Sequence, residues 1–169
     1  MRASSSDFFA ALRILAEHKA EFVVIGGVGA VMRGAPITTF DLDIVHSRAA
    51  DNLERLHAAL VQLDASYREH TPKVLRPKLE DLALPGYHLL ITRFGPLDVL
   101  GSVAKGASYA DLASRSELFE IAPGVRVRVL ALDALIELKE ATNREKDRAV
   151  LPVLRRTLEE ERRREQRGG

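Results

Sequence analysis

Apolar positions along the chain switch between helical and strand spacing, and the switches mark out its elements. In "DFFAALRILAEHK", Phe9, Leu12, Leu15 and Ala16 recur at helical spacing. This predicts a helix from about Asp7 to Lys19, capped by one of the serines Ser5 and Ser6. The β-branched run "EFVVIGG" predicts a short buried strand ending on glycine. "VGAVMRGA" predicts a short helix closed by Gly34 and then Pro36. "FDLDIVH" predicts a second strand, and "AADNLERLHAALVQLDA" an amphipathic helix with Leu53, Leu56, Leu60 and Leu63 on one face. From Ser66 to Leu84 the pattern weakens among Pro72, Pro77 and many charges, which predicts an ordered loop or insert.

Farther on, "GYHLLITRF" and "PLDVLGSV" predict two strands joined near Gly95 and Pro96. "SYADLASRS" predicts a short helix, and "LFEIAPGVRVRVL" a hairpin around Pro123 and Gly124. "LDALIELKEAT" predicts a helix with Leu132, Leu135, Ile136 and Leu138 apolar. A last helix begins near Arg144, and Pro152 should kink it or mark its real start. The tail "EEERRREQR" pairs Glu with Arg at helical spacing and predicts a solvated helix end. This order of elements predicts an α+β fold, a small mixed sheet with helices on one side.

With 169 residues, 46% hydrophobic and 29% charged, the chain fits one globular domain that needs no staples. The expected division is a single domain over 1–169, with a core at about 21–130 and C-terminal helices at about 131–166. There is no cysteine, which removes disulfides, thiolate metal sites and thiol nucleophiles. No apolar run reaches the roughly 18 residues of a membrane span, so a cytoplasmic protein with no membrane partner is expected. A net charge of +1 gives no support for nucleic-acid binding through bulk charge.

The chemistry concentrates in "VVIGGVGAVMRGAPITTFDLDIV". Residues two apart on a strand share a face, so Asp41 and Asp43 stand side by side while Leu42 and Ile44 face the core. Two adjacent carboxylates repel, and one pKa rises unless a cation lies between them. Hard, oxygen-seeking Mg²⁺ (or Mn²⁺) suits such a pair. Asp98, in "GPLDVLG", lies on a strand that could pair beside the first, with its carboxylate on the same face. Three converging acids are the minimum for a two-metal phosphoryl-transfer site. An Asp-x-Asp also occurs at solvated strand ends and in metal-dependent glycosyltransferases. Upstream, Gly26 and Gly27 sit where backbone can approach a phosphate. The glycine spacing is not that of a dinucleotide-binding loop, whose ribose-binding acid comes about 20 residues on, and there is no P-loop lysine.

A glycine pair, a short helix and then Asp-x-Asp resembles the nucleotidyltransferase superfamily that shares the polymerase β palm. Within it, the chain is similar to small bacterial nucleotidyltransferases, including AbiEii-type toxins. The resemblance runs from about Glu21 to Leu154. In "GAPITTFDLDIV", Gly34, Pro36 and Thr39 match a Gly-x-Pro-Arg-x-Thr pattern, and Ile37 stands at the arginine position. "KEATNREKD" supplies the late set Lys139, Arg144, Lys146 and Asp147.

The resemblance implies a minimal nucleotidyltransferase fold, with a short mixed sheet, helices on one face and C-terminal helices closing the cleft. It also implies Mg²⁺-dependent transfer of a nucleoside monophosphate from a nucleoside triphosphate to a hydroxyl. The acceptor would be RNA such as tRNA, a protein or a small molecule. Asp41, Asp43 and Asp98 would be the catalytic and metal-binding acids. Gly26, Gly27, Thr39, Lys139, Arg144 and Lys146 would bind nucleotide. A toxin–antitoxin or phage-defence role with a partner from a neighbouring gene would follow. The alternative is a catalytically weak nucleotide- or partner-binding module of the same fold. Lys139 borders an apolar helix face and could equally cover core with its stem. Asp147 could be a helix-start charge. His46, after the acid strand, is expected at the rim.

Overall fold

The computed structural model describes residues 6–69 and 71–169. Helix α1 (Phe8–Glu17) is followed by β1 (Phe22–Ile25), α2 (Gly26–Met32), β2 (Leu42–His46) and α3 (Ala50–Gln62). Then come β3 (Ser66–Tyr67), α4 (Leu79–Leu82), β4 (Tyr87–Thr92), β5 (Gly95–Leu100) and α5 (Tyr109–Ala113). The chain ends with β6 (Ser116–Ala122), β7 (Val125–Leu130), α6 (Leu132–Thr142) and α7 (Glu145–Arg167). No described helix is long and apolar enough to cross a membrane.

Among the described residues, seven strands join one mixed sheet in the order β3-β4-β5-β2-β1-β7-β6. The β2–β5 and β1–β7 pairs are parallel, and the other pairs are antiparallel. The sheet is therefore mixed, as expected, but wide rather than short. Helices cover both faces, which corrects the expectation of one. Strand alternation makes this visible. Val24, Leu42, Ile44, Leu97, Val99 and Val129 join a core with Leu12 and Leu15 of α1 and Leu56 and Leu60 of α3. Val23, Ile25, Val45 and Leu130 point the other way, into a core with Leu112 of α5, Leu135 of α6 and Leu154 of α7. Strands buried on both sides read as unbroken apolar runs, and β1 is buried at all four positions.

Several local expectations change. The cap of α1 is Asp7, whose carboxylate accepts from the Ala10 N–H at 3.0 Å; Ser6 precedes it and Ser5 lies outside the described residues. The Ser66–Leu84 stretch contains β3 at the sheet edge and the short α4. Helix α7 starts at Glu145, as expected, and runs through Pro152, which therefore does not mark its start. Burial of Leu151 and Leu154 holds that segment in place despite the missing N–H. The tail of α7 is mostly exposed, but Glu161 reaches back to Arg33 at 3.1 Å. Arg33 is itself buried, donating to the backbone carbonyls of Leu130 at 2.6 Å and Val129 at 3.1 Å. It thereby ties the end of α2 to β7 and to α7.

Candidate metal and nucleotide site

The acids stand where the helical cover of the second face ends. Asp43 shares the phase of Val45, and Asp98 that of Leu100, so both point to the face on which α5 to α7 pack. On β4, beyond β5, the residues of that phase are Tyr87, Leu89 and Ile91, and all three are exposed. Asp43 and Asp98 are direct partners in the parallel β2–β5 register. Asp41 lies one residue ahead of β2, at a bend rather than on the strand. One carboxylate oxygen from each of Asp41, Asp43 and Asp98 lies within 4.8 Å of the others, and all three residues are half-buried.

The glycine pair makes this approach of acids and turn sterically feasible. Gly26 is the register partner's neighbour (Ile25 pairs with Asp43) and has φ +67. A Cβ there would collide with the Asp43 carboxylate. A Cβ at Gly27 would lie 2.6 Å from the Thr39 hydroxyl oxygen. That hydroxyl donates to the Asp41 backbone carbonyl at 3.1 Å and so fixes the bend that carries the first acid. The glycines thus let the turn after β1 press against both the acid strand and the segment before it.

The electrostatics follow from this crowding. Burial pushes Asp43 up to about 8, with the charges of Asp41 and Asp98 adding to the shift and a hydrogen bond shared with Asp98. Asp98 is also raised, chiefly by burial, against the lowering effects of its hydrogen bond to Asp43 and of Arg68. Crowding and burial therefore favour a protonated Asp43 unless a cation offsets the repulsion. A donor set of three carboxylates, crowded and part-buried, has the chemistry to hold a hard divalent cation.

The late basic set divides. Lys139, on α6, acts on Asp43 and lowers its pKa, while Lys146 does the same to Asp98, so both lysines lie on the acid side. The Lys139 ammonium is also paired with Asp147 at 3.3 Å. Arg144 is largely exposed and binds the opposite oxygen of Asp147 at 2.8 Å. Asp147 is more than a helix-start charge. It is 1% exposed, and the Thr142 hydroxyl donates to it at 2.7 Å. Burial alone would raise it, but Thr142, Arg144 and Lys139 hold it down at about 2. It locks the junction of α6 and α7 and positions Lys139.

His46 is not at the rim. It is fully buried, on the first face with Ile44, and Nδ1 lies 3.1 Å from the Ser47 carbonyl oxygen. Ile37, at the position expected for an arginine, packs against the second core. Arg68 is the site residue that sequence reasoning misses. It follows β3, and its guanidinium is ion-paired with Asp98. Its only sequence signal was a two-residue strand inside a stretch broken by charges and prolines.

No protein-family model matches the chain, and no curated protein does. Among solved structures, its fold is similar to that of a proposed nucleotidyltransferase from Thermotoga maritima. The TM-score is 0.55 at 17% identity, over 86% of this chain and 90% of that one. At that identity the likeness is one of fold, and it does not single out the AbiEii-type toxins.

Proposed function

We propose that the chain is a single-domain, divalent-metal-dependent nucleotidyltransferase. Its reaction would join an acceptor hydroxyl to the α-phosphorus of a nucleoside triphosphate, with loss of pyrophosphate. The observation that carries this is the register of Asp43 against Asp98, with Asp41 within 4.8 Å and Gly26 pressed against the group. The likeness of fold supports it.

Asp41 and Asp43 would hold two Mg²⁺ or Mn²⁺ ions, with Asp98 holding the one nearer the acceptor oxygen. Such ions supply Lewis acidity at the phosphates and lower the pKa of the attacking hydroxyl. The chain's own groups do the rest. The half-buried Gly26–Gly27 backbone at the start of α2 would bind the β- and γ-phosphates. Thr39 keeps Asp41 in place through its carbonyl. Lys139, held by Asp147, would present a fixed positive charge to the leaving pyrophosphate. Lys146 and Arg144 would add charge at the mouth of the cleft. The acceptor would be an RNA such as tRNA, a protein or a small molecule, and a two-gene toxin–antitoxin or phage-defence system is the setting that fits the AbiEii-like motifs.

A second reading, a binding module of the same fold with little turnover, is favoured by Ile37, whose apolar side chain replaces the expected arginine. The two separate on one experiment. The protein is incubated with labelled nucleoside triphosphates, Mg²⁺ and a cell extract. Transfer predicts a labelled product that is lost with Asp43→Ala. Labelling that persists in Asp43→Ala removes the proposed site, and triphosphate binding with no labelled product at all favours the binding module.

A further inference from the structure

The acidic cluster has a resident counter-charge, and its position follows from the sheet. Tyr67 packs against the first core, so alternation along the chain sends the next residue, Arg68, to the second face. The Arg68 N–H donates to the Leu89 carbonyl at 3.1 Å and extends the β3–β4 ladder by one residue. Leu89 pairs with Asp98, and Asp98 pairs with Asp43. Arg68, Leu89, Asp98 and Asp43 therefore form one row across four neighbouring strands. Neighbouring strands lie about 4.8 Å apart, so the arginine spans the width of β4 to meet Asp98. Its side chain is 31% exposed and that of Asp98 15%. Among the described residues, Arg68 is the one cation in ion-pair contact with any of the three acids. Lys139 is paired with Asp147 instead.

A guanidinium and a divalent cation compete for the same carboxylate. The guanidinium fork also fits phosphate as well as it fits carboxylate, and it stays charged throughout. A triphosphate sharing a metal ion with Asp98 is brought close to that carboxylate, because ion–oxygen distances are only about 2.1 Å for Mg²⁺. A guanidinium released from Asp98 then has an anionic partner beside it.

We infer that Arg68 holds Asp98 until nucleotide arrives and then transfers from that carboxylate to the phosphates, so that divalent-cation binding depends on the triphosphate. This rests on the cluster being the metal site proposed above. It makes Arg68 a positioning residue whose two partners are occupied in turn. Free cation meets a cluster already partly neutralised and binds weakly. Cation bound to triphosphate supplies both halves of the exchange.

Calorimetric titration tests it, with Mn²⁺ alone and with the preformed 1:1 complex of Mn²⁺ and inorganic tripolyphosphate, which needs no knowledge of the base. Wild type, Arg68→Gln, Arg68→Lys and Asp43→Asn are compared, with folding checked by circular dichroism. Mn²⁺ alone should bind Arg68→Gln about tenfold more tightly than wild type. The complex should bind wild type markedly more tightly than Mn²⁺ alone does, and this gain should be several-fold smaller in Arg68→Gln. Arg68→Lys keeps the charge but not the fork. It should match wild type for Mn²⁺ alone and fall short with the complex, which keeps the test decisive should Arg68→Gln fail to fold. Equal Mn²⁺ affinities in wild type and Arg68→Gln, with binding lost in Asp43→Asn, would overturn the inference alone. Undiminished Mn²⁺ binding in Asp43→Asn would overturn the proposed metal site and the inference with it.

Discussion

At Gly26 a left-handed backbone and a close neighbour coincide. Its φ is +67, and a Cβ there would run into the Asp43 carboxylate. Left-handed geometry costs a non-glycine residue roughly 1–2 kcal/mol before any collision. Gly26→Ala is therefore expected to lower stability by at least about 2 kcal/mol in thermal or urea melts and to weaken divalent-metal binding together with it. A variant as stable as wild type would show that the turn has room. The Asp43 carboxyl carries the second expectation at this scale. Its folded pKa, about 8, lies above its ordinary value of 3.8, so the folded state holds a proton that the unfolded state releases. That contribution is complete below about pH 4 and is lost as pH rises through about 8. In EDTA, the melting temperature of wild type should fall more steeply from pH 5 to pH 9 than that of Asp43→Asn. Parallel curves would mean that Asp43 ionises normally. Strand period two led to the expectation that Asp41 and Asp43 lie together, and they do, although Asp41 sits at a bend just before β2. That Asp41 precedes the strand, and that Gly26 and Gly27 yield space to Asp43 and Thr39, depends on contacts between segments that no local pattern records.

The junction of α6 and α7 depends on Asp147, and the two helices turn about Asn143, which is left-handed at φ +48. Asp147 receives the Thr142 hydroxyl, the Arg144 guanidinium and the Lys139 ammonium. Asp147→Ala should cost about 2–3 kcal/mol in denaturant melts, since Arg144 is exposed enough to be solvated while Lys139 and Thr142 lose a buried partner. Triphosphate affinity should drop with it, because Lys139 loses its anchor. The folded pKa, about 2, lies below the ordinary 3.8, so this contribution is present above about pH 4 and lost as pH falls towards 2. Loss of stability without any loss of affinity would make Asp147 structural only. Among the elements, those with long periodic patterns, such as α3 and α6, and the two hairpins were readable in the sequence. Strand β3 was not, because two residues carry no period, and Arg68 was hidden with it. The last helix was legible as beginning near Arg144, and Pro152 lies inside it rather than at its start. Propensity argues against a helix through it, and the burial of Leu151 and Leu154 overrides propensity.

Over the whole molecule, the sheet order brings together what the chain separates. β2 and β5 are neighbours in parallel although α3, β3, α4 and β4 intervene, and this sets Asp98 against Asp43. Parallel pairing of distant segments leaves no local signature, so Asp98 could be chosen only as an acid in an apolar strand of suitable phase. The two-sided burial of the sheet left its signal in the unbroken apolar run of β1, buried at all four positions, while β4 alternates as a strand covered on one face does. Arg33 joins α2, β7 and the late part of α7, so the long C-terminal helix is fastened to the element that carries the glycine pair. If this arrangement moves a nucleoside monophosphate, the fate of each phosphate reports it. The most direct measurement follows two labels. Protein, Mg²⁺ and cell extract are supplied in parallel with nucleoside triphosphates labelled at the α- or at the γ-phosphate, for wild type and Asp43→Asn. Nucleotidyl transfer predicts that the α-label enters an acceptor, that the γ-label leaves as pyrophosphate, and that Asp43→Asn abolishes both. Transfer of the γ-label to the acceptor, or α-labelling that survives Asp43→Asn, would contradict it.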